Sequence, residues 1–153
     1  MSIEARLAEK GYILPEAAAP VAAYLPVVVQ NGLAHVSGQL PFVDGTLVTG
    51  KLGADLTLEQ GQTAAQACAL MILAQIKAAG FSLDRIEKVV KLGVFVNSPA
   101  DYTDHPKVAN GASELMAEVL GEAGRHARSA VGVAALPLNA AVEVDAIIAL
   151  ATD

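Results

Sequence analysis

Residues 88–97 read Lys-Val-Val-Lys-Leu-Gly-Val-Phe-Val-Asn, and this run constrains the fold more than any other. Side chains of a strand alternate between its two faces. Val90, Leu92, Val94 and Val96 fall on one face, and Val89, Lys91, Gly93 and Phe95 on the other. Both faces are largely apolar, so the run predicts an interior strand covered on two sides. A chain of 153 residues fits one domain, which buries about 70% of its extended surface and needs no metal or disulfide staple. Hydrophobic residues make up 54% of the chain. That excludes disorder. It also leaves more apolar surface than one small core absorbs, and self-association is the expected outlet. A membrane span is not the outlet. The longest apolar run, residues 67–74, is bounded by Gln66 and Gln75, with Lys77 just beyond, and a span needs about 20 residues.

The elements around that strand follow from local signals. Ser2 is a candidate cap for a short helix over 2–10, with Ile3 and Leu7 four apart. Pro15, Pro20 and Pro26 impose an extended segment. Residues 33–40 suit a strand, and Asp44-Gly45 is a hairpin turn leading into 46–49. Thr57-x-x-Gln60 has the form of a capping box and opens the longest helix, 58–79. Its apolar stripe is Ala65, Cys68, Ile72, Ile76 and Ala79, and Gly80 stops it. Pro106 suits the first turn of a second long helix over 105–120, with Val108, Ala112, Leu115 and Val119 on one face. Residues 128–134 and 141–150 are strands joined by a turn at 136–139. The order β-β-α-β-α-β-β predicts an α+β domain, a mixed sheet with both helices on one side. Residues 1–19 form an N-terminal extension, and 20–153 the domain proper.

Charge and cysteine narrow the partners. Ten basic against sixteen acidic residues give a net charge of −6, and the basic residues form no stripe, which counts against nucleic acid. Cys68 is the only cysteine, so no intrachain disulfide exists. It sits on the buried helix stripe as a small core residue rather than a nucleophile. The first six residues lack the apolar core of a signal peptide, which is read as cytoplasmic. There is no phosphate-binding glycine loop and no serine elbow. His35, His105 and His126 do not match a metal spacing.

One constellation stands out. Arg128 begins a strand and Glu143 lies within the next, so two neighbouring strands are expected to bring a guanidinium and a carboxylate into one pocket. Arginine is shaped to hold a carboxylate by two parallel hydrogen bonds. Glu143 lies in an otherwise apolar strand, where a charge needs a partner or a task. The alternative is an ion pair of Arg128 with Glu143 or Asp145 that serves only the sheet.

His126-Ala127-Arg128-Ser129-Ala130-Val131, then Leu136-Pro137 and Val142-Glu143-Val144-Asp145-Ala146-Ile147, resembles the C-terminal signature of the YjgF family, the reactive intermediate (enamine/imine) deaminases, some of which are labelled endoribonuclease L-PSP. Ser37-Gly38-Gln39-x-Pro41, Ala79-Gly80 with Leu83-Asp84 and the strand 89–96, and Asn110 match further family segments in order. The resemblance covers about residues 20–150. The proline-rich start and the longer stretch 101–110 mark a divergent branch.

The resemblance implies a chorismate-mutase-like fold and a homotrimer, with the sheets forming an inner barrel and clefts between subunits. It implies hydrolysis of 2-imino acids, formed from enamines such as 2-aminoacrylate, to 2-keto acids and ammonia, with no cofactor and no metal. Arg128 would clamp the carboxylate of a small-molecule substrate. Glu143 would position water and shuttle protons. Tyr24 would close over the ligand, and Gly38, Asn110 and Ala130 would line the pocket. Position 130 is a departure, because many relatives carry Cys or a small polar residue there. Competing readings are a trimeric binding protein for small carboxylates or keto acids without turnover, a ribonuclease, and, by fold alone, a chorismate mutase.

Overall fold

The computed structural model describes residues 1–20 and 22–153. Among the described residues three α-helices form: α1 (Ile3–Glu9), α2 (Leu58–Ala78) and α3 (His105–Leu120). Seven strands accompany them: β1 (Val27–Gln30), β2 (Leu33–Gln39), β3 (Phe42–Val43), β4 (Thr46–Leu47), β5 (Ile86–Asn97), β6 (Ala127–Val133) and β7 (Val142–Leu150). Five strands make one sheet in the order β1-β2-β7-β5-β6, and β3 and β4 form a separate ribbon. The β5–β6 pair is parallel and the other neighbours are antiparallel. The expected α+β architecture, a mixed sheet with two long helices on one face, is what forms.

The helix ends follow their sequence signals. Thr57 Oγ1 accepts from the Gln60 main-chain N–H at 3.2 Å, and Gln60 Oε1 accepts from the Thr57 N–H at 2.8 Å, the reciprocal bonds of a capping box. Small residues let α2 lie close to the sheet: Ala64, Ala65, Cys68 and Ala69 are fully buried beside Ile72 and Ile76. Cys68 is the core residue expected, its thiol pKa raised well above the ordinary value by burial.

Three local differences have physical causes. Residues 27–30 were expected only as part of an extended segment, yet they pair as β1 with β2. The turn between them is Asn31-Gly32, both at positive φ (52° and 74°), the same chemistry as Asp44-Gly45. Of the strand expected over 46–49, Thr46 and Leu47 pair with β3, and then the chain leaves the ribbon: the Val48 carbonyl accepts from the Ala141 N–H at 3.0 Å and Thr49 bridges Ala140. In β5 a register shift between Val89 and Lys91 breaks the simple alternation. It turns Val89 into the core and leaves Val90 exposed.

The N-terminal segment is fastened to this body. Leu7 is buried, Arg6 donates to the Val119 carbonyl at 2.9 Å, and Tyr12 Oη donates to Glu118 at 2.8 Å. The two long helices meet at backbone contact. A Cβ at Gly111 would collide with the Gln62 main-chain carbonyl. Alanine is favoured over glycine within a helix by about 1 kcal/mol, but overpacking a rigid contact costs about 1–3 kcal/mol. The obstacle here is backbone, so the second effect wins. Gly111→Ala is expected to destabilise the fold by about 1–2 kcal/mol in urea unfolding. A more stable variant would show that the helices yield at this crossing.

Candidate functional site

Arg128 and Glu143 do not meet within one chain, which corrects the expectation that neighbouring strands would join them. β5 lies between β6 and β7. Arg128 stands opposite Leu92, and Glu143 opposite Phe95. Positions 92 and 95 are an odd number apart, so their side chains leave opposite faces of the sheet. Leu92 is buried under the helices. Arg128 therefore points to the helix side and Glu143 to the open side. The alternative reading of an ion pair with Glu143 or Asp145 is not met either, since Arg128 enters no salt bridge among the described residues.

On the helix side Arg128 is held by neutral groups from α3. Its Nη1 donates to Asn110 Oδ1 at 2.9 Å and to Ser113 Oγ at 3.1 Å, and its Nη2 donates to the Pro106 carbonyl at 3.3 Å. A guanidinium carries five N–H donors. Three are engaged and two remain for an incoming carboxylate. Ala130 lies opposite the buried Val94, two residues along β6 and on the same face as Arg128. Asn110, Arg128 and Ala130 are thus brought together.

Two further residues belong to this cluster and were not picked out in the sequence. His126 Nδ1 lies 2.6 Å from the Gly124 carbonyl, and Nε2 lies 2.9 Å from Ser113 Oγ. A carbonyl only accepts, which assigns the proton to Nδ1 and makes Nε2 the acceptor from the Ser113 hydroxyl. The chain of bonds runs from Arg128 through Ser113 to His126 and ends on main chain. Burial, then the charges of Arg128 and Lys88, lower the His126 pKa, so the imidazole is neutral near pH 7.

On the open side Glu143 stands against Gly38. β2 carries a register irregularity between Val36 and Gln39, and Gly38 lies within it. A Cβ at Gly38 would stand 2.7 Å from Glu143 Cδ and 2.8 Å from Oε2, so glycine is what admits the carboxylate. Tyr24 and Gly38 line a cavity of about 80 Å³ with Pro20, Phe42 and Leu138. Burial, and then the negative charge of Asp145, raise the Glu143 pKa above the ordinary carboxylate value. Asp145 follows on the same face with a pKa also raised by burial. Asn110, Arg128 and Ala130 therefore lie on one face of the sheet and Glu143 with Gly38 on the other, while Tyr24 is joined to the second pair only through the cavity it shares with Gly38.

A sequence model of the family described as "YjgF/chorismate mutase-like, putative endoribonuclease" matches residues 4–150. Protein TCP17 of Trypanosoma cruzi is 54% identical over 150 residues, which are 97% of this chain and 94% of that protein. The crystal structure of Atu1372 from Agrobacterium tumefaciens, a protein of unknown function, superposes with a TM-score of 0.90 at 49% identity, covering 97% of this chain and 92% of that one. RidA from an Antarctic Psychrobacter superposes with a TM-score of 0.60 at 32% identity, covering 88% of this chain and 94% of that one.

The neutral His126 has a consequence for stability. Its pKa is lowered in the fold from 6.5, so the unfolded chain takes up a proton that the folded chain refuses. The stability this contributes is fully present above pH 6.5 and is lost as pH falls through that value toward the depressed folded pKa. Between about pH 8 and about pH 5.5 the wild type should lose more unfolding free energy than His126→Gln. Equal losses in the two proteins would mean that the imidazole is not held neutral.

Proposed function

Because this chain belongs to the YjgF/chorismate-mutase-like family, we propose that it hydrolyses 2-imino acids to 2-keto acids and ammonia in clefts between the subunits of a homotrimer. The observation that carries the reading is the division of the site. One face offers an arginine with two unused donors and no acidic partner, and the other offers a carboxylate of raised pKa beside a glycine. Neither half is complete alone. Two copies of the chain, the helix-side edge of one against the open face of the next, complete both.

In such a cleft Arg128 takes the substrate carboxylate through two parallel hydrogen bonds and places the imine carbon beside Glu143 of the neighbouring copy. The carboxylate of Glu143 removes a proton from water as the oxygen attacks that carbon. The C=N bond becomes a C–N single bond, and the nitrogen holds its electrons as an amine. Glu143 then returns the proton to the amine nitrogen. The C–N bond breaks as the hydroxyl proton passes through Glu143 to the departing nitrogen, so that ammonia leaves and the carbonyl forms. One water is consumed for each ammonia released. A raised pKa makes the Glu143 carboxylate a stronger base toward the attacking water than an ordinary carboxylate. Arg128 needs its orientation fixed, and Asn110 and Ser113 supply that.

Activity is followed as pyruvate released from 2-aminoacrylate that a lyase supplies in the same solution. Glu143→Gln is expected to lower kcat by about a hundredfold or more, the usual contribution of a proton-transferring group. Arg128→Ala is expected to act on kcat/KM, by about tenfold or more, through the lost charge-assisted bonds. The acid limb of the wild-type profile should lie above the ordinary carboxylate range, because Glu143 must be ionised to act and its pKa is raised. Wild-type release no faster than buffer alone would instead favour the binding protein. Full activity in both variants would remove the assignment of the two residues.

A further inference from the structure

A second cavity lies at the far end of the same strand edge, outside both half-sites. It measures about 430 Å³ and is walled by Lys51, Ser98, Tyr102, His105, Gly132 and Ala134 among others. One wall, residues 98–105, runs into the stretch that departs from the familiar family pattern in sequence.

Lys51 Nζ donates to Asn97 Oδ1 at 2.8 Å and to the main-chain carbonyl of Ala134. Both acceptors are neutral. No carboxylate lies within ion-pair distance of this ammonium among the described residues. The nearby Asp55 accepts instead from the main-chain N–H of Lys51, at 2.9 Å. An ammonium has three N–H donors, so one remains for the cavity that Lys51 lines. The asparagine that holds Lys51 is itself fixed. Asn97 is fully buried, and its Nδ2 donates to the carbonyls of Gly50 and Ala140 and to Asn139 Oδ1.

The opposite wall supplies hydrogen-bonding groups. Ser98, only 6% exposed, donates its hydroxyl to the Val96 carbonyl at 3.3 Å, and its Oγ lies 3.2 Å from His105 Nε2. Tyr102 packs edge-on against that imidazole with ring centres 5.5 Å apart. Gly132 makes room for the pair, because a Cβ there would collide with His105 Nε2 and stand 2.9 Å from Ser98 Oγ. His105 is the first residue of the 16-residue α3, whose N-terminal end carries partial positive charge. Asp104, the residue before it, makes no side-chain cap bond and pairs with Lys107 at 3.6 Å.

We propose that this cavity binds a small oxyanion, the phosphate or carboxylate head of a small metabolite. Lys51 provides the charge and a free N–H donor, and His105, held in place by Ser98, lines the opposite wall. Arg128 lies four residues back along β6 from Gly132, about 13 Å of main chain at the rise of a strand, and does not line this cavity. The inference does not depend on the deaminase reading.

The test titrates the full chain with sodium phosphate and, separately, with sodium acetate, at ionic strength held constant with chloride, while backbone amide resonances are followed. Saturable shifts at His105, Lys107 and residues 132–134 are expected with at least one of the anions. Lys51→Met should weaken that affinity by about tenfold or more, the loss of one charge-assisted bond. Should Lys51→Met fail to fold, Ser98→Ala is expected to weaken the binding severalfold. The proposal is overturned if neither anion gives saturable shifts at these amides, if the shifts centre on Asn110 and Arg128 instead, or if folded Lys51→Met or Ser98→Ala binds as tightly as the wild type.

Discussion

Alternation across an interior strand governs this molecule. β5 sits between β6 and β7 and passes its two-faced pleat to both. Whatever stands opposite Leu92 is directed to the helices, and whatever stands opposite Phe95 is directed away from them. A slip of one residue would exchange the faces of an entire strand. The buried Leu92, Val94 and Val96 hold the register against such a slip. The positions of Arg128 and Glu143 are therefore consequences of core packing. The same packing forbids one chain from bringing the two together.

Each charge is tolerated where it stands for its own reason. Arg128 is half-buried without an acid, and α3 satisfies part of its guanidinium with an amide, a hydroxyl and a carbonyl. Neutral acceptors orient the group without cancelling its charge, so it stays attractive to an anion. A neutral His126 completes the arrangement, because a second cation beside Arg128 would oppose it. Glu143 solves a different problem. Its carboxylate fills the space that a side chain at position 38 would take, and partial burial keeps its proton affinity high.

Much of this was legible in the sequence, and the parts that were not share a cause. Periodicity located α2, α3, β5 and β7, because each buries one continuous stripe or face. The capping box at Thr57 was readable because its bonds are local. β1 escaped although its Asn31-Gly32 turn has the same chemistry as the recognised Asp44-Gly45, since the flanking prolines dominated the reading. Strand order was not local information. Nothing in residues 127–150 announces that β5 inserts between β6 and β7, so the two site residues were expected side by side. Ser113 and His126 escaped because a serine on a helix and a histidine before a strand look ordinary until α3 lies over β6. The signal that could have found His126 was its place two residues ahead of Arg128 on what becomes one face.

The central claim is that a working site takes its arginine from one copy of the chain and its glutamate from the next. Mixing Arg128→Ala with Glu143→Gln, each strongly impaired alone when substrate is kept well below KM, and allowing the subunits to exchange tests this directly. If the assembly is the proposed trimer, each mixed particle holds one cleft that pairs an intact Arg128 with an intact Glu143, so an equal mixture should recover about one quarter of wild-type activity. A mixture that exchanges subunits yet stays as inactive as its components would contradict the account.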